Sequence, residues 1–156
     1  MIRISIPDFG DLELHHLVSD YNGTLAFDGV LLDGVAERLA RLANVITVHV
    51  ITADTFGLAA PQLAGLPVAL TITAPDDQAS AKLRHVKALG AGHVVAIGNG
   101  RNDRLMLAAA SLGIALVQKE GGAVETAREA DVLSTSVLDA LDLLINPNRL
   151  KATLRS

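Results

Sequence analysis

The chain has 156 residues, enough for one domain with a sizeable core. Half of them are apolar, aromatics make up 3% and the formal charge is -4; with no long basic run and few rings for base stacking, nucleic acid is not an expected partner. There is no cysteine, which excludes disulfides, thiolate metal sites and cysteine nucleophiles and favours an intracellular, cytoplasmic setting.

Ile2, Ile4 and Ile6 alternate with polar residues, a turn follows over Pro7–Asp11, and Leu12 and Leu14 resume the alternation. This predicts a hairpin leading into a buried strand, His16–Asp20. No charged leader precedes a long apolar run in Met1–Phe9, so no signal peptide is expected. Leu25–Leu32, with Asp28-Gly29 at its centre, predicts a second, small hairpin. Asp33 is placed to cap a helix over Gly34–Ala43 whose apolar stripe is Val35, Leu39 and Leu42. Val45–Thr52 is a strand, and Asp54 or Thr55 is placed to cap a short helix that contains Pro61. Pro67–Thr73 is a strand, and Asp76 or Asp77 opens a helix that runs to Leu89. His93–Gly98 is a strand, Asn102–Leu112 a helix stopped by Gly113, and Ile114–Val117 a strand. A helix around Ala123–Arg128, a strand Val132–Leu133 and a helix Val137–Leu144 follow. Pro147 ends that unit, and the tail Asn148–Ser156 reads as amphipathic with Arg149, Lys151 and Arg155 exposed. The apolar runs Val45–Ile51 and Val94–Ile97 are too short to span a bilayer, so no membrane association is expected.

Alternating strands and helices predict an α/β fold: an open, mostly parallel sheet with helices on both faces, joined by right-handed crossovers. Ligands of such sheets bind beyond the carboxyl ends of the strands. Four places there carry chemistry: Asp20-Tyr21-Asn22-Gly23-Thr24, Thr52-Ala53-Asp54, Lys82 on the helix after the third strand, and Gly98-Asn99-Gly100-Arg101-Asn102-Asp103. They offer a carboxylate to attack phosphorus, a hydroxyl and an ammonium to hold phosphate oxygens, and a second carboxylate for a hard cation such as Mg2+. Glycines at Gly23, Gly98 and Gly100 let backbone N–H groups approach an anion.

The same residues carry a resemblance. Asp20-Tyr21-Asn22-Gly23-Thr24 resembles the Asp-x-Asp-Gly-Thr motif of haloacid-dehalogenase-like (HAD) phosphatases and the Asp-Lys-Thr-Gly-Thr of P-type ATPases. Val95–Leu107 is similar to their Val-Ala-x-x-Gly-Asp-Gly-x-Asn-Asp-x-x-x-Leu segment, Thr52-Ala53-Asp54 to Thr-Gly-Asp, and Lys82 to the motif lysine. The resemblance covers roughly residues 16 to 135. It implies a HAD-like Rossmannoid fold with an N-terminal hairpin and a small flap hairpin, in one domain over residues 1–156. It further implies a soluble, P-type-ATPase-like, Mg2+-dependent phosphohydrolase. Asp20 is then the nucleophile that forms an aspartyl phosphate. Asn22, Thr52 and Lys82 complete the catalytic set, and Gly23, Thr52, Ala53 and Lys82 bind phosphate with Asp20. Asp20, Asn22, Asn99 and Asp103 surround the metal.

Two departures bear on activity. Asn22 stands where many relatives have the Asp that protonates the leaving group and activates water, and an amide does neither. Asn99 replaces an acidic residue of the fourth motif. Substrates with good leaving groups, such as acyl phosphates or other small phosphorylated compounds, are therefore favoured. A catalytically impaired phosphate-binding or regulatory module is the rival reading, and a structural oligomer the third.

No cap domain fits between Asp20 and Thr52 or between Thr52 and Lys82. Cover by the Leu25–Leu32 flap, or by another subunit of a homo-oligomer, stays open. Asn22 and Asn99 also suit ordinary turns, Lys87 is a rival to Lys82, and Asp103 is placed to cap the helix at Asn102. The five histidines show no metal-ligand spacing; His15 and His16, adjacent in a strand, point to opposite faces.

Overall fold

The computed structural model describes all residues, 1–156. Strands β1 (Ile2–Ile6) and β2 (Gly10–Leu14) form an antiparallel hairpin with Ile2 opposite Leu14 and Ile4 opposite Leu12. Its alternation buries Ile2, Ile4, Ile6, Leu12 and Leu14 on one face.

The main sheet holds six strands. In chain order they are β3 (His16–Ser19), β6 (Thr47–Thr52), β7 (Ala69–Ile72), β8 (Val94–Gly98), β9 (Leu112–Leu116) and β10 (Val132–Ser134). Their spatial order is β10-β9-β8-β3-β6-β7, with every pairing parallel. From β3 the chain winds outward through β6 to β7, then crosses back to β8 and winds the other way. The direction reverses between β3 and β8, so the crevice for a ligand opens where Asp20 and Asn99 leave the sheet. Strands β4 (Ala26–Phe27) and β5 (Val30–Leu31) form the flap hairpin.

Side-chain alternation along the strands makes two cores. Leu17, Val48, Val50, Val95, Ile97 and Ile114 face a cluster of 28 buried residues. That layer also contains the N-terminal hairpin, α1 (Val35–Leu42), α6 (Val137–Ile145) and α7 (Pro147–Leu154). Val18, Ile51, Ala96 and Ala115 face a smaller one with Val86, Met106 and Leu107. These belong to α3 (Gln78–Ala88) and α4 (Arg104–Ala109), with α5 (Val124–Glu129) beside α4. Each fully buried Leu, Ile or Val in these layers contributes roughly 1.5–3 kcal/mol. Arg38 of α1 and Asp142 of α6 close the larger layer with paired contacts of 2.9 and 3.1 Å. No helix is long and apolar enough to cross a membrane.

Several local expectations are corrected. Asp33 does not cap α1; Gly34 sits at the N-cap with φ 85° and no side-chain bond, a conformation open to glycine. The short helix α2 (Ala59–Leu63) starts after Leu58, though Asp54 Oδ1 still accepts from its first N–H, Ala59, at 3.0 Å. The helix expected over Asn102–Leu112 is a 3-10 turn, Arg101–Asp103, followed by α4, and Leu112 and Gly113 belong to β9. Gly113 is not a helix stop: a Cβ there would lie 2.8 Å from the Leu107 carbonyl oxygen. Strand pairing with β8 and the close passage of α4 override the helical period. The tail is a helix, with Pro147 in its first turn, Leu150 buried and Lys151 half-buried.

Candidate active site

Asp20 follows β3 directly. Its N–H donates to the Ile97 carbonyl at 3.0 Å, which extends the β3–β8 ladder by one residue and fixes where the carboxylate emerges. The chain then turns sharply: the Tyr21 carbonyl accepts from Thr24, Leu25 and Ala26, and Gly23 takes φ 80°. Tyr21 is wholly buried and its hydroxyl donates to Gly29 O at 2.9 Å, fastening the flap to the loop. Burial, then the charge of Asp54, pushes this phenol up to about 12, so it stays a neutral donor.

Under the loop lies a buried charge cluster. Lys82 on α3 is fully buried, and its Nζ donates to Asp20 Oδ1 and to Asp103 Oδ1, each at 2.6 Å. Asp103 is also fully buried; its Oδ2 accepts from the N–H groups of Asn99 (3.0 Å) and Gly100 (2.9 Å). It therefore folds the Gly98–Asp103 loop back on itself and, through the Gly100 N–H, caps the start of the 3-10 turn Arg101–Asp103, as expected from sequence; its side chain makes no cap bond to α4. Gly98 makes room for it, since a Cβ there would lie 2.5 Å from Asp103 Cγ.

Burial alone would lower the Lys82 pKa, but the charges of Asp20 and Asp103 outweigh it and the ammonium is held more firmly than usual. Burial and then Asp20 push Asp103 upward, against the pull of Lys82 and the Gly100 N–H. These two directions conflict over one ion pair. The 2.6 Å contact and two backbone donors favour the carboxylate, so Asp103 is ionised at neutral pH and burial sets how readily acid removes its charge.

Asp20, Asn22, Thr52, Ala53, Asn99 and Glu120 are among the residues lining a cavity of about 150 Å³ above this cluster. Thr52 is buried, and its hydroxyl accepts from the Asp54 N–H at 3.0 Å, so its hydrogen is free to donate. The Thr24 hydroxyl sits 3.3 Å from both Asp20 Oδ2 and Asn99 Oδ1. Asn99 also donates to Gly121 O at 3.0 Å, so both ends of its amide are engaged. Asn22 differs: its buried Oδ1 has no hydrogen-bond partner, and its backbone carbonyl accepts none. Of the residues named from sequence, Asp20, Asn22, Thr52, Ala53 and Asn99 thus share one cavity. Lys82 and Asp103 lie beneath it, and Gly23 lines the neighbouring one. Lys87 is exposed, away from the cluster.

Glu120 escaped the sequence reading. It follows β9 in the turn Gln118–Gly121, which Gln118 pins by donating to Gly23 O (3.2 Å) and Thr24 O (3.0 Å). A Cβ on Gly23 would lie 2.6 Å from Glu120 Oε2 and 2.5 Å from Asn99 Nδ2, so only glycine admits both side chains here. Burial, then the charges of Asp20 and Asp28, raises the Glu120 pKa. The signal was available: a polar turn after a fifth strand of the same sheet. Glu120 also borders a larger cavity of about 430 Å³, lined by Phe27, Val117, Gln118, Lys119 and Ser136 among others.

Two carboxylates, Asp20 and Asp103, share one ammonium here, and the unpaired Asn22 Oδ1 and the Glu120 carboxylate line the same cavity. An all-oxygen donor set with excess negative charge suits a hard divalent cation such as Mg2+.

No protein-family model matches the chain. The uncharacterized protein MJ0073 of Methanocaldococcus jannaschii is 50% identical over 62 residues, which is 40% of this chain and 67% of that protein. Among solved structures, the cobalt-bound deoxy-D-mannose-octulosonate 8-phosphate phosphatase YrbI of Haemophilus influenzae aligns over 92% of this chain and 94% of its own, with TM-score 0.72 and 13% identity. The corresponding phosphatase of Moraxella catarrhalis, in complex with magnesium, phosphate and KDO, aligns over 89% and 90% at TM-score 0.69 and 20% identity. The haloacid-dehalogenase-like family hydrolase SP0104 of Streptococcus pneumoniae aligns over 83% and 97% at 0.63 and 10%.

Proposed function

Since the chain belongs to one family with MJ0073 and has the haloacid-dehalogenase-like fold, we propose that it is a Mg2+-dependent phosphohydrolase working through an aspartyl phosphate on Asp20. The observation that carries this reading is the buried Asp20–Lys82–Asp103 cluster beneath a small oxygen-lined cavity at the β3–β8 crevice. The solved neighbours named above as phosphatases of a small sugar phosphate support the same class of substrate: a small phosphorylated compound or an acyl phosphate.

Lys82 holds Asp20 Oδ1, which leaves Oδ2 to attack phosphorus. The Asp–phosphorus bond forms as the bond to the leaving oxygen breaks. Thr52 and the backbone at Ala53 hold the remaining phosphate oxygens; Gly23, expected from sequence to bind phosphate, instead donates its N–H to the Ala26 carbonyl at 2.8 Å and lines the neighbouring cavity. Asp20 and the Asn22 backbone carbonyl would hold Mg2+, with Asp103 and Asn99 acting through water because their polar atoms are already engaged. When bound, the cation offsets the charge between carboxylate and phosphate dianion. An acyl phosphate leaves as a carboxylate and needs no proton, which fits the absence of an acid at Asn22. Glu120 is the unengaged carboxylate at the cavity and takes the proton of the water that cleaves the phosphoenzyme. The 430 Å³ cavity beyond it receives the rest of the substrate. With only the flap, α1 and β6 between Asp20 and Thr52, the single domain acts without a cap.

A specific observation also favours the impaired-module reading: the Asn99 amide is spent on structural bonds to Thr24 and Gly121. Turnover separates the two. Mg2+-dependent phosphate release from acetyl phosphate and p-nitrophenyl phosphate is compared for wild type, Asp20→Asn and Asn22→Asp. The enzyme reading expects activity in wild type, none in Asp20→Asn, and a gain on the poorer leaving group in Asn22→Asp. Equal inertness of wild type and Asp20→Asn, with retained binding of phosphate, establishes the module instead.

A further inference from the structure

All five histidines lie in one run of ring contacts. His93 stacks on His15 (centroids 4.6 Å apart), His15 neighbours His16 (6.4 Å), His16 Nδ1 meets His49 Nε2 at 3.2 Å, and His49 lies edge-on to His85 (5.3 Å). At one end of this run Glu13 joins His15 and His93, with one ligand atom from each within 4.8 Å of the others. Sequence spacing hid this group because the partner of His15 is not its neighbour His16 but His93, from the turn before β8.

We propose that Glu13, His15 and His93 form a site for a borderline divalent transition ion, Zn2+ in the first place. The donor set, two imidazoles and one carboxylate, is the kind such ions take, and it leaves a fourth position for water. Hydrogen bonds hold the ligands in place, and the His15 and His93 rings, stacked with 29° between their planes, turn for their in-plane lone pairs to converge on one ion. His93 Nδ1 lies 2.9 Å from Glu13 O, so its proton sits there and Nε2 keeps its lone pair. Arg3 Nε holds Glu13 Oε2 at 3.2 Å and leaves Oε1 toward the site. His15 Nε2 already stands 3.0 Å from that Oε1; the ion replaces the proton between them, which passes to solvent. Tetrahedral Zn2+ spaces its ligand atoms about 3.3 Å apart, so binding draws the three side chains together from separations of up to 4.8 Å.

The site lies at the amino end of the sheet. Asp20 lies five positions beyond His15, about 16 Å along a strand, so the ion takes no part in chemistry at Asp20. Its ligands come from β2, the link to β3 and the turn before β8, so it clamps the N-terminal hairpin to the sheet.

The test uses the full chain stripped of metal by chelation, with Zn2+ titrated by calorimetry and followed by thermal unfolding, in wild type, Glu13→Gln, His93→Gln and His85→Gln. Wild type is expected to bind one Zn2+ that excess Mg2+ does not displace. Its midpoint should rise by about 5–10 °C when Zn2+ reaches a hundredfold excess over Kd. Glu13→Gln and His93→Gln, both at the surface, should keep the wild-type circular dichroism and phosphatase rate while losing at least thirtyfold in Zn2+ affinity; His85→Gln should bind as wild type. Undiminished binding by Glu13→Gln and His93→Gln overturns the proposal, as does loss confined to His85→Gln. Co2+ gives a second readout: an intense visible band in wild type that His93→Gln abolishes supports the site, and a weak band of the aquo ion in both refutes it.

Discussion

Lys82→Met replaces the ammonium between Asp20 and Asp103 with an apolar chain of similar length. Wild-type Lys82 is fully buried, Asp103 likewise, and the Asp20 side chain only 10% exposed, so the substitution leaves two carboxylates without their counter-charge. Removing one partner of a buried pair costs about 3–5 kcal/mol; with one ammonium serving two contacts of 2.6 Å, the loss should reach that range at pH 7.5. Burial and Asp20 already push Asp103 upward, and losing Lys82 removes the strongest opposing pull. The folded variant therefore holds a proton that its unfolded chain releases. It regains stability relative to wild type as pH falls, by about 1.4 kcal/mol per unit between its own raised pKa and the wild-type value of about 6, below which both folded proteins bind the proton. Urea unfolding of both proteins at pH 7.5 and 5.5 measures this, and adding Asp103→Asn to the variant should restore part of the loss. A Lys82→Met protein within about 1 kcal/mol of wild type at pH 7.5, or a difference that ignores pH, refutes the reasoning.

Glu120→Gln should slow hydrolysis of the phosphoenzyme by about 10²–10⁴-fold while Asp20 is still phosphorylated, so quenched-flow traces should show a burst and then a stall; an unchanged steady-state rate removes Glu120 from the mechanism. Gly113→Ala drives a methyl to 2.8 Å from the Leu107 carbonyl oxygen and should cost about 1–3 kcal/mol in urea, with an unshifted midpoint counting against the close passage of α4. Burial, then the charges of His85 and His16, holds His49 down to about 4 against an ordinary 6.5. Its contribution is thus complete above pH 6.5 and is lost as pH falls through 4, because the unfolded chain binds the proton first. Wild type should lose stability over that window more steeply than His49→Gln, and parallel profiles would show that the ring carries no such burden.

The strands were legible because β3, β6, β8 and β9 are aliphatic runs bounded by polar turns, and their strict alternation with helices left few topologies. Asp20 and the Gly98–Asp103 loop could be found because each follows such a run. Burial decides between Lys82 and Lys87: the two sit on different faces of α3, which the modest amphipathicity of that helix did not reveal. What stayed hidden depends on long-range approach. Glu120 reaches the cavity only because Gln118 ties its turn to Gly23 and Thr24, and His93 meets Glu13 across 80 positions of chain. The end of the helix after Asp103 was misplaced because Leu112 satisfies the helical period equally well, and only its pairing with Val95 makes it strand.

The proposed mechanism requires Asp20 to be the group that becomes phosphorylated. The most direct measurement is peptide mass spectrometry of protein acid-quenched while turning over acetyl phosphate with Mg2+, in wild type and Asp20→Asn. One phosphoryl group is expected on the peptide containing Asp20, absent without Mg2+ and absent in Asp20→Asn. Phosphate release with no label on that peptide, or with the label on another residue, would contradict it.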